Sequence, residues 1–83
     1  MEYYRLEYNE KLGKFRYEPI AKRNDDRHDW ETLSMVMNLE DIKHFINVVL
    51  TEFPAINSNN AIGCPKASEI KKRFNSFSGI SEL

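Results

Sequence analysis

The sequence predicts an α+β fold: an N-terminal antiparallel β-hairpin, with a possible third strand at 32–37, packed against two α-helices at about 39–53 and 66–77 in a single domain spanning 1–83. Three observations carry that expectation. Side chains in the first twenty residues alternate with the period of a strand. Apolar residues in 39–53 recur with the period of a helix. A chain of 83 residues supports one core and no more.

The hairpin is read from the alternation of Tyr4, Leu6 and Tyr8 with Arg5 and Glu7, and of Phe15 and Tyr17 with Lys14, Arg16 and Glu18. A four-residue loop, Glu10 to Gly13, closes it, with Gly13 free to take the positive φ such loops need. This loop length sets Tyr8 opposite Phe15 and Leu6 opposite Tyr17 on one face. On the other face Glu7 stands opposite Arg16, and Arg5 opposite Glu18. A three-residue loop would place Leu6 against Glu18, so turn chemistry and side-chain chemistry select the same register. Two strands alone are marginal in water, so the aromatic face requires a cover from later in the chain.

Residues 19–29 read as a polar loop around Asn24, Asp25 and Asp26. The stretch from Trp30 to Asn38 admits two readings. Leu33, Met35 and Met37 alternate as in a strand, while Trp30, Leu33 and Met37 fall at helical spacing behind Asp29. The hairpin's need for a neighbour favours the strand. A helix then opens on Asn38 as N-cap, with Glu40 and Asp41 in its first turn and a stripe of Leu39, Ile42, Ile46, Val49 and Phe53, until Pro54 stops it. An Asn- and Ser-rich connection, 54–65, leads to a second helix marked by Pro65, Ala67, Ile70, Phe74 and Phe77. The tail carries Ile80 and Leu83, which could add a short strand or dock loosely.

Composition narrows the function classes. A domain this small has little room for an enclosed active-site pocket of roughly 300 Å³ or more, which argues against an enzyme. A single cysteine excludes an intramolecular disulfide and fits a reducing compartment. His28, His44 and Cys64 show no metal-ligand spacing, so neither metal nor cofactor is expected. The N-terminus lacks the apolar run of a signal peptide, and no segment approaches the roughly 20 apolar residues of a membrane span. A cytoplasmic chain, monomeric or homodimeric and with no membrane contact, is the expectation.

Two surfaces stand out. The formal net charge of −1 conceals polarity. Residues 28–64 carry Lys43 against Asp29, Glu31, Glu40, Asp41 and Glu52, a net of −4, whereas residues 65–78 carry Lys66, Lys71, Lys72 and Arg73 against Glu69, a net of +3. The basic patch Lys66, Lys71, Lys72 and Arg73 suits phosphates or an acidic protein, although a solvated helix face is the ordinary meaning of such a run. Ten aromatic residues exceed what so small a core hides easily. Tyr3, on the charged face of the hairpin, and Trp30, beside the polar loop, are expected at the surface. With Glu31, Glu40 and Asp41 they form the candidate partner-binding set. A catalytic role for the Asp25, Asp26, His28, Asp29 loop, or for Cys64 with His44, has no support in spacing. The leading expectation is a protein-binding regulator or inhibitor, of the kind phages, plasmids and immunity loci supply, that masks a partner's surface. The alternative is a nucleic-acid-binding accessory protein that uses the basic C-terminal helix.

Overall fold

In the computed structural model, which describes residues 2–22, 28–58 and 62–77, the elements are β1 (Tyr4–Asn9), β2 (Lys14–Pro19), β3 (Glu31–Met37), α1 (Leu39–Glu52) and α2 (Ala67–Asn75). The sheet is three-stranded and antiparallel in the order β2-β1-β3. Both helices cover one of its faces, for their apolar stripes close the core of Leu6, Tyr8, Met37, Ile42, Phe45, Val49, Ile56, Ala67 and Ile70.

The hairpin adopts the register its side chains demand, with Tyr8 opposite Phe15, Glu7 opposite Arg16, Leu6 opposite Tyr17 and Arg5 opposite Glu18. Its loop is nucleated by Asn9, whose Oδ1 accepts from the N–H groups of Lys11 and Leu12, both at 3.0 Å. Gly13 completes the turn at φ +65°, a conformation that costs other residues roughly 1–2 kcal/mol. The ambiguous segment is a strand, filling the side of β1 that the hairpin leaves open. Its pairing to β1 slips twice, between Tyr4 and Leu6 and between Leu6 and Glu7. Such irregularities change which residues face inward. Leu33 and Met37 pack on the core while Met35, expected to alternate with them, stands 48% exposed beside an equally exposed Val36.

α1 begins where expected, capped by Asn38 Oδ1 accepting from the Asp41 N–H at 2.8 Å, and ends one residue earlier than expected, with Phe53 as C-cap. α2 is shorter at both ends than the 66–77 reading. Lys66 is its N-cap and gives no side-chain bond, and Ser76 closes it through its N–H to the Lys72 carbonyl. Phe77 lies beyond the helix yet still packs on Phe45, with ring centroids 5.3 Å apart. The expected tail contacts of Ile80 and Leu83 lie outside the described residues.

The opposite face of the sheet departs furthest from expectation. Arg5, Glu7 and Asn9 are buried there, although alternation alone reads them as the solvated side of the hairpin. Glu7 accepts from Arg16 Nε at 2.8 Å, and Arg5 donates to Glu18 at 3.1 Å while its own Nε stands 3.7 Å from Glu7. Burial follows from topology. β1 is the central strand, with charged residues of β2 and Thr32 of β3 on its flanks, and Trp30 crosses to lie over the Arg16 guanidinium, 4.0 Å from its centre. Tyr3, on this same face, is half-buried rather than exposed. Conversely Tyr17, expected inside with Leu6, is 41% exposed because β2 is an edge strand.

Candidate functional site

The acidic residues of the middle segment separate into two groups. Glu31, the first residue of β3, reaches Lys71 at 3.0 Å, and Glu52, at the end of α1, meets Arg73. Both pairs are about half-exposed, which limits each to roughly 0–1 kcal/mol. They nevertheless join the acidic half of the chain to the basic one. Two of the four cations of the predicted patch, Lys71 and Arg73, are engaged in this way. Lys66 and Lys72 are exposed and have no ion-pair partner among the described residues.

Glu40 and Asp41 form the second group. Both sit in the first turn of α1, where the unpaired N–H groups of the helix favour negative charge. Neither carboxylate has an ion-pair partner among the described residues. A groove of about 390 Å³ opens beside them, lined by Glu2, Tyr4, Asn38, Leu39 and Glu40. Glu2 lies on its rim and accepts from the Tyr4 hydroxyl at 3.5 Å. Tyr4 pairs with Met37 across the sheet, which brings the end of β3, with the exposed Met35 and Val36, to this same end of the molecule. Tyr3 does not line it; its carbonyl accepts from the Ile20 N–H at 3.1 Å, and it belongs to the opposite face of the sheet. The groove therefore brings two carboxylates together with a tyrosine and a leucine, and Asp41 lies in the same helical turn as Glu40.

The predicted partner-binding set is thus divided. Glu40 and Asp41 stay together in the first turn of α1, while Tyr3 belongs to the opposite face of the sheet. Trp30 and Glu31 stand at the other end of β3, roughly 20 Å away at about 3.3 Å per residue. Trp30 is half-buried against Arg16, and Glu31 is held by Lys71. Sequence reasoning missed Glu2, Tyr4 and Leu39 as lining of the groove, and Met35 and Val36 as exposed side chains. The signal for Leu39 was its place at the outer end of the helical stripe; Met35 and Val36 depend on the irregular pairing of β3, which carries no sequence signal.

The remaining candidates stay apart. Asp25 and Asp26 lie outside the described residues. His28 is almost fully exposed and 3.5 Å from Asp29, which also meets Lys11 at 3.1 Å. Cys64 packs on the core near Tyr8 and Pro65, whereas His44 lies against Phe77 at 5.2 Å. Among the described residues no group of three His, Cys, Asp or Glu side chains is placed to hold a metal ion, and no helix is long and apolar enough to cross a membrane. Comparison with protein-family models, curated proteins and solved structures gives no match.

Proposed function

We propose that this chain is a small cytoplasmic regulator or inhibitor that binds a macromolecular partner and masks its surface, with no chemistry of its own. The partner is a protein with a basic functional surface, such as one that handles nucleic acid. The observation that supports this reading is a groove lined by Glu2 and Glu40 with Tyr4 and Leu39, next to Asp41 in the first turn of α1, none of the three carboxylates having an ion-pair partner among the described residues. Apolar side chains supply contact area that water leaves on association, and like-signed charge around them steers a cationic partner and rejects anionic ones. An accessory protein of the phage, plasmid or immunity type would work in this way.

The test is a pull-down from the native host with the wild-type chain and with Glu40→Lys combined with Asp41→Lys as baits. The expected result is a basic protein retained by the wild type at low salt, released as salt rises and lost with the double variant. Adding the wild-type chain should also suppress that protein's nucleic-acid binding. Equal retention by both baits would overturn the reading. Direct salt-sensitive binding of the chain to DNA or RNA, lost in Lys66→Glu with Lys72→Glu, would transfer the function to α2.

A further inference from the structure

A second groove adjoins the acidic one along α1, Tyr17 of its lining lying edge-on to Tyr4 with ring centroids 6.1 Å apart, and has different chemistry. β2 is an edge strand whose only described strand neighbour is β1. The Ile20 N–H donates to the Tyr3 carbonyl at 3.1 Å, and hydrogen-bonded pairs alternate along an antiparallel ladder. With Arg5 opposite Glu18 and Glu7 opposite Arg16, the bonds to β1 fall on the even-numbered residues of β2. Phe15 and Tyr17 therefore turn their N–H and C=O groups to the open edge. Pro19, which has no N–H, bounds this edge at one end. At the other end the Asn57 N–H donates to the Gly13 carbonyl at 2.7 Å. Between these limits no described residue bonds the outward main-chain groups of Phe15 and Tyr17, which a further strand could pair with.

Beside the open edge, between β2 and α1, runs a groove of about 350 Å³ lined by Phe15, Tyr17, Lys43, Ile46, Asn47 and Asn57. Two rings and an isoleucine form its apolar part. Lys43 is its one charged side chain; it is exposed, with no ion-pair partner among the described residues. Among the described residues no carboxylate lines the groove, so its charge complement is an anion.

We propose that an extended segment of a partner protein, carrying an apolar side chain and a carboxylate two residues apart, adds as a strand to β2 and fills this groove. Successive side chains of a strand alternate between faces, so residues two apart on the added strand both point into the groove. One packs on Tyr17, Phe15 and Ile46; the other meets Lys43 and the amides of Asn47 and Asn57. The main chain bonds to Phe15 and Tyr17, which is how strand addition gains affinity while the groove supplies specificity. A second copy of β2 is a poorer occupant, because pairing through Phe15 and Tyr17 sets Arg16 against its own equivalent and the carboxylate it brings, Glu18, is already held by Arg5. This groove shares no lining residue with the acidic one beside it and does not depend on the masking function.

The test is selection of random ten-residue peptides, displayed on phage, against the immobilised full chain, followed by amide NMR with the selected peptides. The expected result is enrichment of sequences with an apolar residue two positions from Asp or Glu. These should shift the Phe15 and Tyr17 amides and slow their hydrogen exchange. Affinity should fall about tenfold in Lys43→Glu, as loss of one charge-assisted contact implies; Lys43 is exposed, so the fold is unaffected. Selection that enriches nothing overturns the proposal, as do peptides that bind Lys43→Glu equally well or a chain that dimerises through β2. Basic peptides that shift Glu40 and Asp41 instead would support the masking surface while overturning this groove.

Discussion

Glu7 is almost fully buried, between Arg5 and Arg16, and the Arg5 Nε beside it has no hydrogen-bond partner. A buried carboxylate of this kind is tolerated only while its cations remain. Glu7→Gln should leave two guanidinium groups short of charge and cost about 3 kcal/mol, read as a lower urea midpoint at unchanged slope. An unchanged midpoint would show the face to be better hydrated than its burial implies. Tyr8 makes a different use of burial. Its hydroxyl donates to the Pro65 carbonyl at 2.6 Å, and burial, with smaller contributions from Cys64 and Glu10, pushes its pKa from 10.0 up to about 12. The folded state thus holds the phenolic proton more tightly than the unfolded chain. The stabilisation is complete below pH 10 and is lost as pH rises through about 12. Tyr8→Phe should cost about 1 kcal/mol at neutral pH and flatten the fall of melting temperature with pH in that alkaline window. These residues were legible only in part. The cross-strand partners of Glu7 follow from alternation and loop length, but its burial does not, since alternation distinguishes two faces without saying which is covered.

Each secondary-structure element has a local cause that can be removed by itself. Asn38→Ala deletes the acceptor for the Asp41 N–H and should cost about 1 kcal/mol, measured by thermal unfolding, with the helix otherwise intact by circular dichroism. Gly13→Ala forces a side chain into a φ of +65° and should destabilise by about 1–2 kcal/mol; no loss would mean that the loop relaxes to another turn. The start of α2 is different in kind. Lys66 offers no capping oxygen, and the Ala67 N–H instead donates to Glu10 Oε1 of the hairpin loop at 3.1 Å. Sequence signals of helix capping operate within a few residues, so a cap supplied from 57 positions away is invisible to them. The strand at 31–37 was legible as a possibility because β1 required a second neighbour. Its slipped register was not, and that slip is what brings Met35 and Val36 to the surface.

At the scale of the whole molecule, charge segregated along the chain is partly cancelled in space. Glu31–Lys71 and Glu52–Arg73 span β3 to α2 and α1 to α2. Exposed pairs of this sort contribute little to stability, so Glu31→Lys combined with Lys71→Glu should unfold within about 0.5 kcal/mol of the wild type, whereas either reversal alone places like charges together and should be the less stable. A double variant no better than the singles would show that the pair has no energetic coupling. The cancellation leaves net negative charge around Glu2, Glu40 and Asp41, and positive charge at Lys66 and Lys72 that no described carboxylate pairs. If α2 met DNA through those two lysines alone, the slope of log affinity against log salt would be about −2, far shallower than for a dedicated DNA-binding protein.

The sequence by itself determined the hairpin and its register, the two helices and the Asn38 cap, because each rests on interactions between near neighbours or on the period of apolar residues, and it left 30–37 open between strand and helix. Only the tertiary structure decided which hairpin face became buried, which acids were neutralised and which cations remained free. Strand order did this. Placing β1 in the centre buried Arg5 and Glu7, left the Phe15 and Tyr17 backbone on an open edge, and brought α2 against Glu31 and Glu52. Those outcomes depend on contacts between residues far apart in the chain, which side-chain periodicity does not encode.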